Sequence, residues 1–443
     1  MYSWLLTLAF ACATKAPIDH RFPDTFEPSE KFKASIEIEA ISADRINEDF
    51  SNIEDLSWIA EPAKQAHAIL LGEGHFSAVS QRIIGRLIFA INQHEHYPLV
   101  ALEYPYSMSP FLDHYVQLED DGEADLFMRE ELKRLLLIGD HQLFLEDARR
   151  WNLQHPDRKI HVVADDVEHL WFWVMDTTVR PYCAAISDAD NGEPIDAMNM
   201  SSEKALEILD ACEAALPQAK QDDHVGRYDF IDADYIATVL VNIRDTLAPN
   251  GRKTAIYRNM TSPNFLGDMV RQDKVIFWQG AFHTISKQCE RGAFSITEGC
   301  KLSTEFAPTK NRTYAISVSD LSSHLGSFAD MDVQACREQQ EVDHEPYWRP
   351  ITAAKQAYDE GRLGRDEPFN YYHLPVKQDW SLLWLGQELG GPYRVLSHDL
   401  ENFPPTKLFK RNEWEAMINA DTIIGHDTFI LVPTSEPTKP FCD

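Results

Sequence analysis

The chain has 443 residues, with 71 Asp and Glu against 41 Lys and Arg and a formal net charge of −30. So acidic a chain excludes nucleic acid or an anionic membrane as the main partner, since both need a basic face. A hydrophobic fraction of 44% supplies a sizeable core and excludes wholesale disorder, and the length suits one large α/β domain or two smaller ones.

Trp4 to Ala13 is a short apolar segment, too short to span a bilayer and of the length of a signal-peptide core. Ala9, Phe10 and Ala11 before Cys12 resemble a bacterial lipoprotein processing site. The expectation is an exported protein of the periplasm or cell envelope, with Cys12 as the residue that would carry a lipid anchor. The alternative is a buried N-terminal segment. Residues 13 to 45, rich in Pro, Lys, Glu and Asp, read as a tether, and 46–443 as a single α/β domain.

Ile46 to Ala60 reads as a short helix leading into the first strand, His67 to Leu71, which stops at Gly72. Glu73 and His75 follow, then a helix with Ile83, Ile84, Leu87, Ile88 and Ile91 at helical spacing. A second strand, Leu99 to Leu102, ends at Glu103. Helices are expected over Leu126 to Ile138 and Gln142 to Asn152. A third strand, Lys159 to Ala164, ends in Asp165 and Asp166. Residues 171 to 251 read as a helical insertion, with helices over Ser201 to Leu216 and Asp229 to Leu247. Asp188, Asp190 and Gly192 within it lack the spacing of a calcium loop and read as a surface turn. Ala255 to Arg271 is helical, with Pro263 as a kink or a new first turn. The remaining strands are Lys274 to Trp278, leading to His283, then Thr313 to Val318, Tyr393 to Leu396, and an apolar stretch from Thr422 to Val432. Residues 336 to 390 show no clear periodicity. Alternating strands and helices predict a mostly parallel central sheet with helices on both faces.

Beyond Cys12 there are six cysteines, an even number that permits disulfides in an exported protein. Cys289 and Cys300, close in sequence, are the first pair to expect. No CxxC motif supports a zinc ribbon or a thioredoxin-type site.

Four strand ends carry polar groups: Glu73 and His75, Glu103, Asp165 and Asp166, and His283. Ligands of open α/β sheets bind outside the carboxyl ends of the strands, so these side chains are placed to converge. Two histidines with carboxylates supply what water-mediated hydrolysis needs. A neutral His takes a proton from water, a carboxylate holds its tautomer, and a second His or an Arg stabilises the oxyanion. The same set could hold a divalent metal, because two His and a Glu form a catalytic zinc shell. A buried Glu103 must be paired, as an isolated carboxylate in an apolar setting is costly. A Gly-x-Ser-x-Gly elbow, a Walker-type loop, a Rossmann glycine fingerprint and a His-Glu-x-x-His motif are all absent.

Leu71-Gly72-Glu73-Gly74-His75 resembles the Leu-Gly-Glu-x-x-His turn of erythromycin esterase-like proteins, with one residue fewer between Glu and His. Val100-Ala101-Leu102-Glu103 is similar to that family's second strand. Arg149 to Asn152 with Lys159 to Asp166, the helix Tyr257-Arg258-Asn259-Met260 to Asn264, and Val275 to His283 resemble its later segments, in order, over residues 65 to 290. Gln279 and Gly280 stand where the family carries His and Asn. The ending Ala420 to Ile424 resembles its last strand. The resemblance implies an α/β hydrolytic scaffold, more distantly related to haem-binding lipoproteins of the ChaN type and to Tiki-like proteases. It implies His75 as general base, Glu73, Glu103 and His283 in one pocket, and Arg258 nearby. Asp166, Asn264 and Trp278, in the matching segments, are the substrate-binding candidates. The expected activity is cleavage of a carboxylic ester or lactone in a small-molecule substrate, with no cofactor required. A metal-dependent hydrolase or a haem- or other ligand-binding lipoprotein are the alternatives.

Overall fold

The structure, a computed structural model, describes residues 36–42, 45, 50–74, 77–132, 139–168, 202–219, 228–248, 252–290, 294–323, 393–397 and 425–435. The N-terminal apolar segment with Cys12, His75, the 188–192 turn and residues 336–390 lie outside them, as does Ala420 to Ile424.

Eight strands form one sheet: β1 (Ile36–Ala40), β2 (Ala68–Glu73), β3 (Leu99–Pro105), β4 (His161–Asp166), β5 (Val275–Gly280), β6 (Thr313–Ser323), β7 (Tyr393–Ser397) and β8 (Thr428–Ser435). Their order is β1-β7-β8-β6-β2-β5-β3-β4. The six strands from β8 to β4 are parallel neighbours, and β7 joins β8 and β1 antiparallel. Every residue of β2 and β5 is buried, which is why both read as continuous apolar runs rather than as alternating patterns.

Ten helices are described. They are α1 (Ala60–Gln65), α2 (Ala78–His94), α3 (Ser109–Gln117), α4 (Asp121–Glu130), α5 (Gly139–Gln154), α6 (Ser202–Ala219), α7 (Ala233–Leu247), α8 (Arg252–Thr261), α9 (Gly267–Gln272) and α10 (Glu298–Thr304). Ser77 caps α2, its side chain accepting from the Ser80 amide. Exposed Pro263 falls between α8 and α9, where the expected single helix divides. The helical insertion is present as α6 and α7, which pack on each other.

Strand alternation sends the core to two faces. Ile69, Leu71, Val100, Leu102, Ile276 and Trp278 pack in one cluster with Ile84, Leu87 and Ile88 of α2 and Phe144 of α5. Leu70, Ala101, Val163 and Phe277 pack in the other with Ile256 and Met260 of α8, Val270 of α9 and Leu302 of α10. The chain leaves β2 toward β3 and leaves the neighbouring β5 toward β6, on opposite sides. The connections therefore run to opposite sides from the parallel neighbours β2 and β5, the place where such folds open a ligand crevice at the carboxyl ends.

Candidate functional site

The carboxyl end of β5 anchors the site. Gly280 donates its amide to Glu103 Oε2 at 2.5 Å, and Ala281 donates its amide to the Glu73 carbonyl at 2.9 Å. A register shift between Leu102 and Pro105 of β3 re-aims the strand at Glu103. Glu103 is thus turned toward β5 and away from open solvent, with 9% of its side chain exposed.

Beyond Gly280 the chain turns back toward β2. Gly72 permits the approach: a Cβ there would lie 2.2 Å from Thr284 Oγ1 and 2.9 Å from Ala281 Cα. The glycine of the Leu-Gly-Glu stretch is thus required for close packing of the His283 turn. His283 Nε2 lies 3.5 Å from Glu103 Oε1, and its Nδ1 lies 2.8 Å from Glu298 Oε2 at the start of α10. Burial alone would push the imidazole down. The Glu103 and Glu298 carboxylates outweigh it and raise His283 to about 9. At neutral pH His283 is an imidazolium.

Arg252, in the first turn of α8, binds two strand ends at once. Its Nη2 donates to Glu103 Oε1 at 3.0 Å and to Asp166 Oδ2 at 2.9 Å. The charge of Asp166, then that of Glu103, raises the guanidinium's pKa despite burial. Asp166 is fully buried and also accepts from the Val167 amide at 2.7 Å. Its neighbour Asp165 is also fully buried, and Gln279 Nε2 donates to both of its oxygens at 3.1 Å. Burial, then the charge of Asp166, push the Asp165 carboxyl well up, against the pull of Gln279. Gln279 is thus the partner of a buried acid.

A second layer supports β4. Glu168, fully buried, accepts from the Ser107 amide at 3.0 Å, the Ser107 hydroxyl at 2.8 Å and Asn242 Nδ2 at 2.9 Å. Asn259 Nδ2 donates to the carbonyls of Asp165 and Asp166, both at 3.1 Å. Arg258 belongs to this layer. It donates to Asn242 Oδ1 at 2.8 Å, pairs with Asp245 and lies 4.4 Å over the Phe265 ring, and burial lowers its pKa.

Glu73 and Trp278 meet on the opposite face of the sheet. The buried indole donates to Glu73 Oε2 at 2.7 Å and packs edge-on against His141, whose Nδ1 lies 2.7 Å from the Tyr104 hydroxyl. Asn264 is exposed, and its carbonyl is 3.5 Å from Thr238 Oγ1. Of the residues proposed from sequence, the structure therefore brings together Glu103, His283 and Asp166. It sets Glu73 with Trp278 across the sheet, leaves Arg258 one layer back and puts Asn264 at the surface. His75 is outside the described residues. Sequence reasoning missed Arg252 and Glu298 as partners. The one sequence signal for either was that Glu103 closes an apolar run and needs a partner. Among the described residues, no group of three His, Cys, Asp or Glu is arranged to hold a metal ion.

No protein-family model matches the chain, and no curated protein matches it in sequence. A succinoglycan biosynthesis protein matches it in structure, with 13% identity and a TM-score of 0.51, over 92% of this chain and 96% of that one. The two chains share a fold. A mutant erythromycin esterase in its open conformation aligns at 13% identity and a TM-score of 0.49, over 90% of this chain and 98% of that one. ChaN of Campylobacter jejuni, in a structure of cofacial haem binding, aligns at 13% identity and a TM-score of 0.25, over 59% and 84%. An erythromycin esterase and a ChaN protein, two of the kinds named in the sequence resemblance, are thus among the matches, each at 13% identity.

Proposed function

We propose that this chain is a hydrolase that cleaves a carboxylic ester or lactone with activated water at the carboxyl ends of β2, β3 and β5. One observation carries the reading: His283, just past the carboxyl end of β5, is held between the Glu103 and Glu298 carboxylates. In the proposed reaction the water oxygen attacks the carbonyl carbon and the acyl C–O bond breaks. His75 takes the water's proton, in the role implied by the resemblance. His283 stabilises the developing oxyanion through Nε2–H and hands a proton to the leaving alkoxide. Glu103 and Glu298 keep that imidazolium in place and charged. Export is part of the proposal. Its support is disulfide bonding at Cys289, Cys300 and Cys212, the chemistry of an oxidising compartment.

The test is a panel of esters and lactones turned over by wild type, His75→Ala and His283→Ala. Loss of a positioned acid or base lowers turnover by about 10²–10⁴-fold. Equal rates in all three proteins refute the proposal.

A further inference from the structure

We propose that Glu298 is the positioning carboxylate of His283, fixing a proton on Nδ1 so that Nε2 is the nitrogen offered to the reacting group. The substrate's identity rests on the ester-hydrolysis reading; the pairing itself does not.

The two contacts of the imidazole are unequal. Nδ1 to Glu298 is 2.8 Å, and Nε2 to Glu103 is 3.5 Å. An ionised carboxylate only accepts, so the shorter bond requires a proton on Nδ1. When His283 is singly protonated, that proton stays with Glu298 and Nε2 keeps a free lone pair. When it is doubly protonated, Nε2–H is the donor on the Glu103 side. Both states present the same nitrogen in the same direction. Glu298 is itself buried, with 5% of its side chain exposed, and His283 is its one hydrogen-bond partner among the described residues.

The backbone around the pair is built to keep it. Gly299 donates its amide to the His283 carbonyl at 2.8 Å. Thr297 Oγ1 donates to the Ile285 carbonyl at 3.0 Å, and Ser303 Oγ to the Ser286 carbonyl at 3.1 Å. Cys289 is joined to Cys300, the third residue of α10. A Cβ on Gly299 would stand 2.4 Å from the Ile285 oxygen, so the helix and the turn meet backbone to backbone. Three hydrogen bonds and a covalent bond thus dock the turn carrying His283 onto the helix carrying Glu298. A carboxylate needed only to satisfy a surface histidine has no use for such a clamp.

The experiment is nitrogen-15 NMR of imidazole-labelled protein, with His283 assigned through His283→Gln, in wild type, Glu298→Gln and Glu298→Asp. Glu298→Gln keeps an acceptor and removes the charge. Its His283 should titrate below the wild type's value of about 9, and the alkaline limb of ester hydrolysis should move with it. Glu298→Asp, which returns the charge, should bring both part-way back. Wild type above its titration should carry its one proton on Nδ1. An unchanged titration in Glu298→Gln, or a wild-type proton on Nε2, overturns the proposal. If Glu298→Gln does not fold, the wild-type tautomer decides alone. If no ester is cleaved, the functional reading fails while the NMR still reads the pair.

Discussion

Removing the His283 imidazole should make stability depend on pH in a definite way. The group is raised from its ordinary 6.5 to about 9 by Glu103 and Glu298 against the cost of burial. A base raised on folding stabilises fully below its unfolded value and loses that contribution as pH rises through its folded value. Each pH unit between the two is worth 1.36 kcal/mol, which gives about 3 kcal/mol. The imidazole is one-fifth exposed, and solvent screening trims this to about 2–3 kcal/mol. Urea denaturation of wild type and His283→Gln at several values between pH 6 and pH 10 measures it. Wild type should exceed the variant most at pH 6, and the gap should narrow by that amount by pH 10. A gap that stays constant or widens with pH refutes the assignment of His283 as a cation held by two carboxylates.

Other substitutions test the neighbours. Arg252→Gln removes the cation shared by Glu103 and Asp166, whose side chains are 9% and 1% exposed. Breaking a buried pair costs about 3–5 kcal/mol, and the half-exposed guanidinium places this case at the lower end. A loss under about 0.5 kcal/mol by chemical denaturation, the range of ordinary surface changes, contradicts it. Asp165→Asn should raise Tm at pH 7. The folded carboxyl is raised, so the wild type loses stability as pH climbs above the unfolded value, and the amide does not. A lower Tm in the variant shows instead that Asp165 is ionised in the fold. Gly299→Ala forces a methyl group against the Ile285 oxygen. It should cost about 1–3 kcal/mol and lower the titration of His283, and an NMR titration identical to wild type refutes the clamp.

The sequence made the sheet legible because buried parallel strands are unmistakable apolar runs between helices of the right period. Boundaries were harder. The strand read as Leu99 to Leu102 runs on to Pro105 through a bulge, and no pattern in Leu-Glu-Tyr-Pro announces one. Glu103 was legible as a carboxylate in need of a partner, and His283 as a residue just past a strand. Their partners were not. Arg252 lies 149 positions from Glu103, and Glu298 opens a seven-residue helix of ordinary composition. Contacts made by tertiary packing leave no local period to read. The Cys289–Cys300 bond was legible because a short separation limits where the two thiols can go.

Alternation also decides which strand the site is built on. Glu73 shares parity with Leu71 and so reaches the face of Trp278, whereas Glu103 shares parity with Ala101 and reaches the face of Phe277. The two glutamates stand on strands separated by β5, about 10 Å apart at ordinary strand spacing. No single side chain bridges that gap. The backbone of β5 does, with Gly280 donating to the Glu103 carboxylate and Ala281 to the Glu73 carbonyl. The same strand supplies Trp278 to Glu73, Gln279 to Asp165 and, one turn later, His283 to Glu103. The Leu-Gly-Glu stretch of β2, prominent in the sequence, contributes a carboxylate to the far face and a glycine that makes room for Thr284. The strand that organises the site is therefore β5, whose segment from Trp278 to His283 supplies partners to carboxylates on both faces.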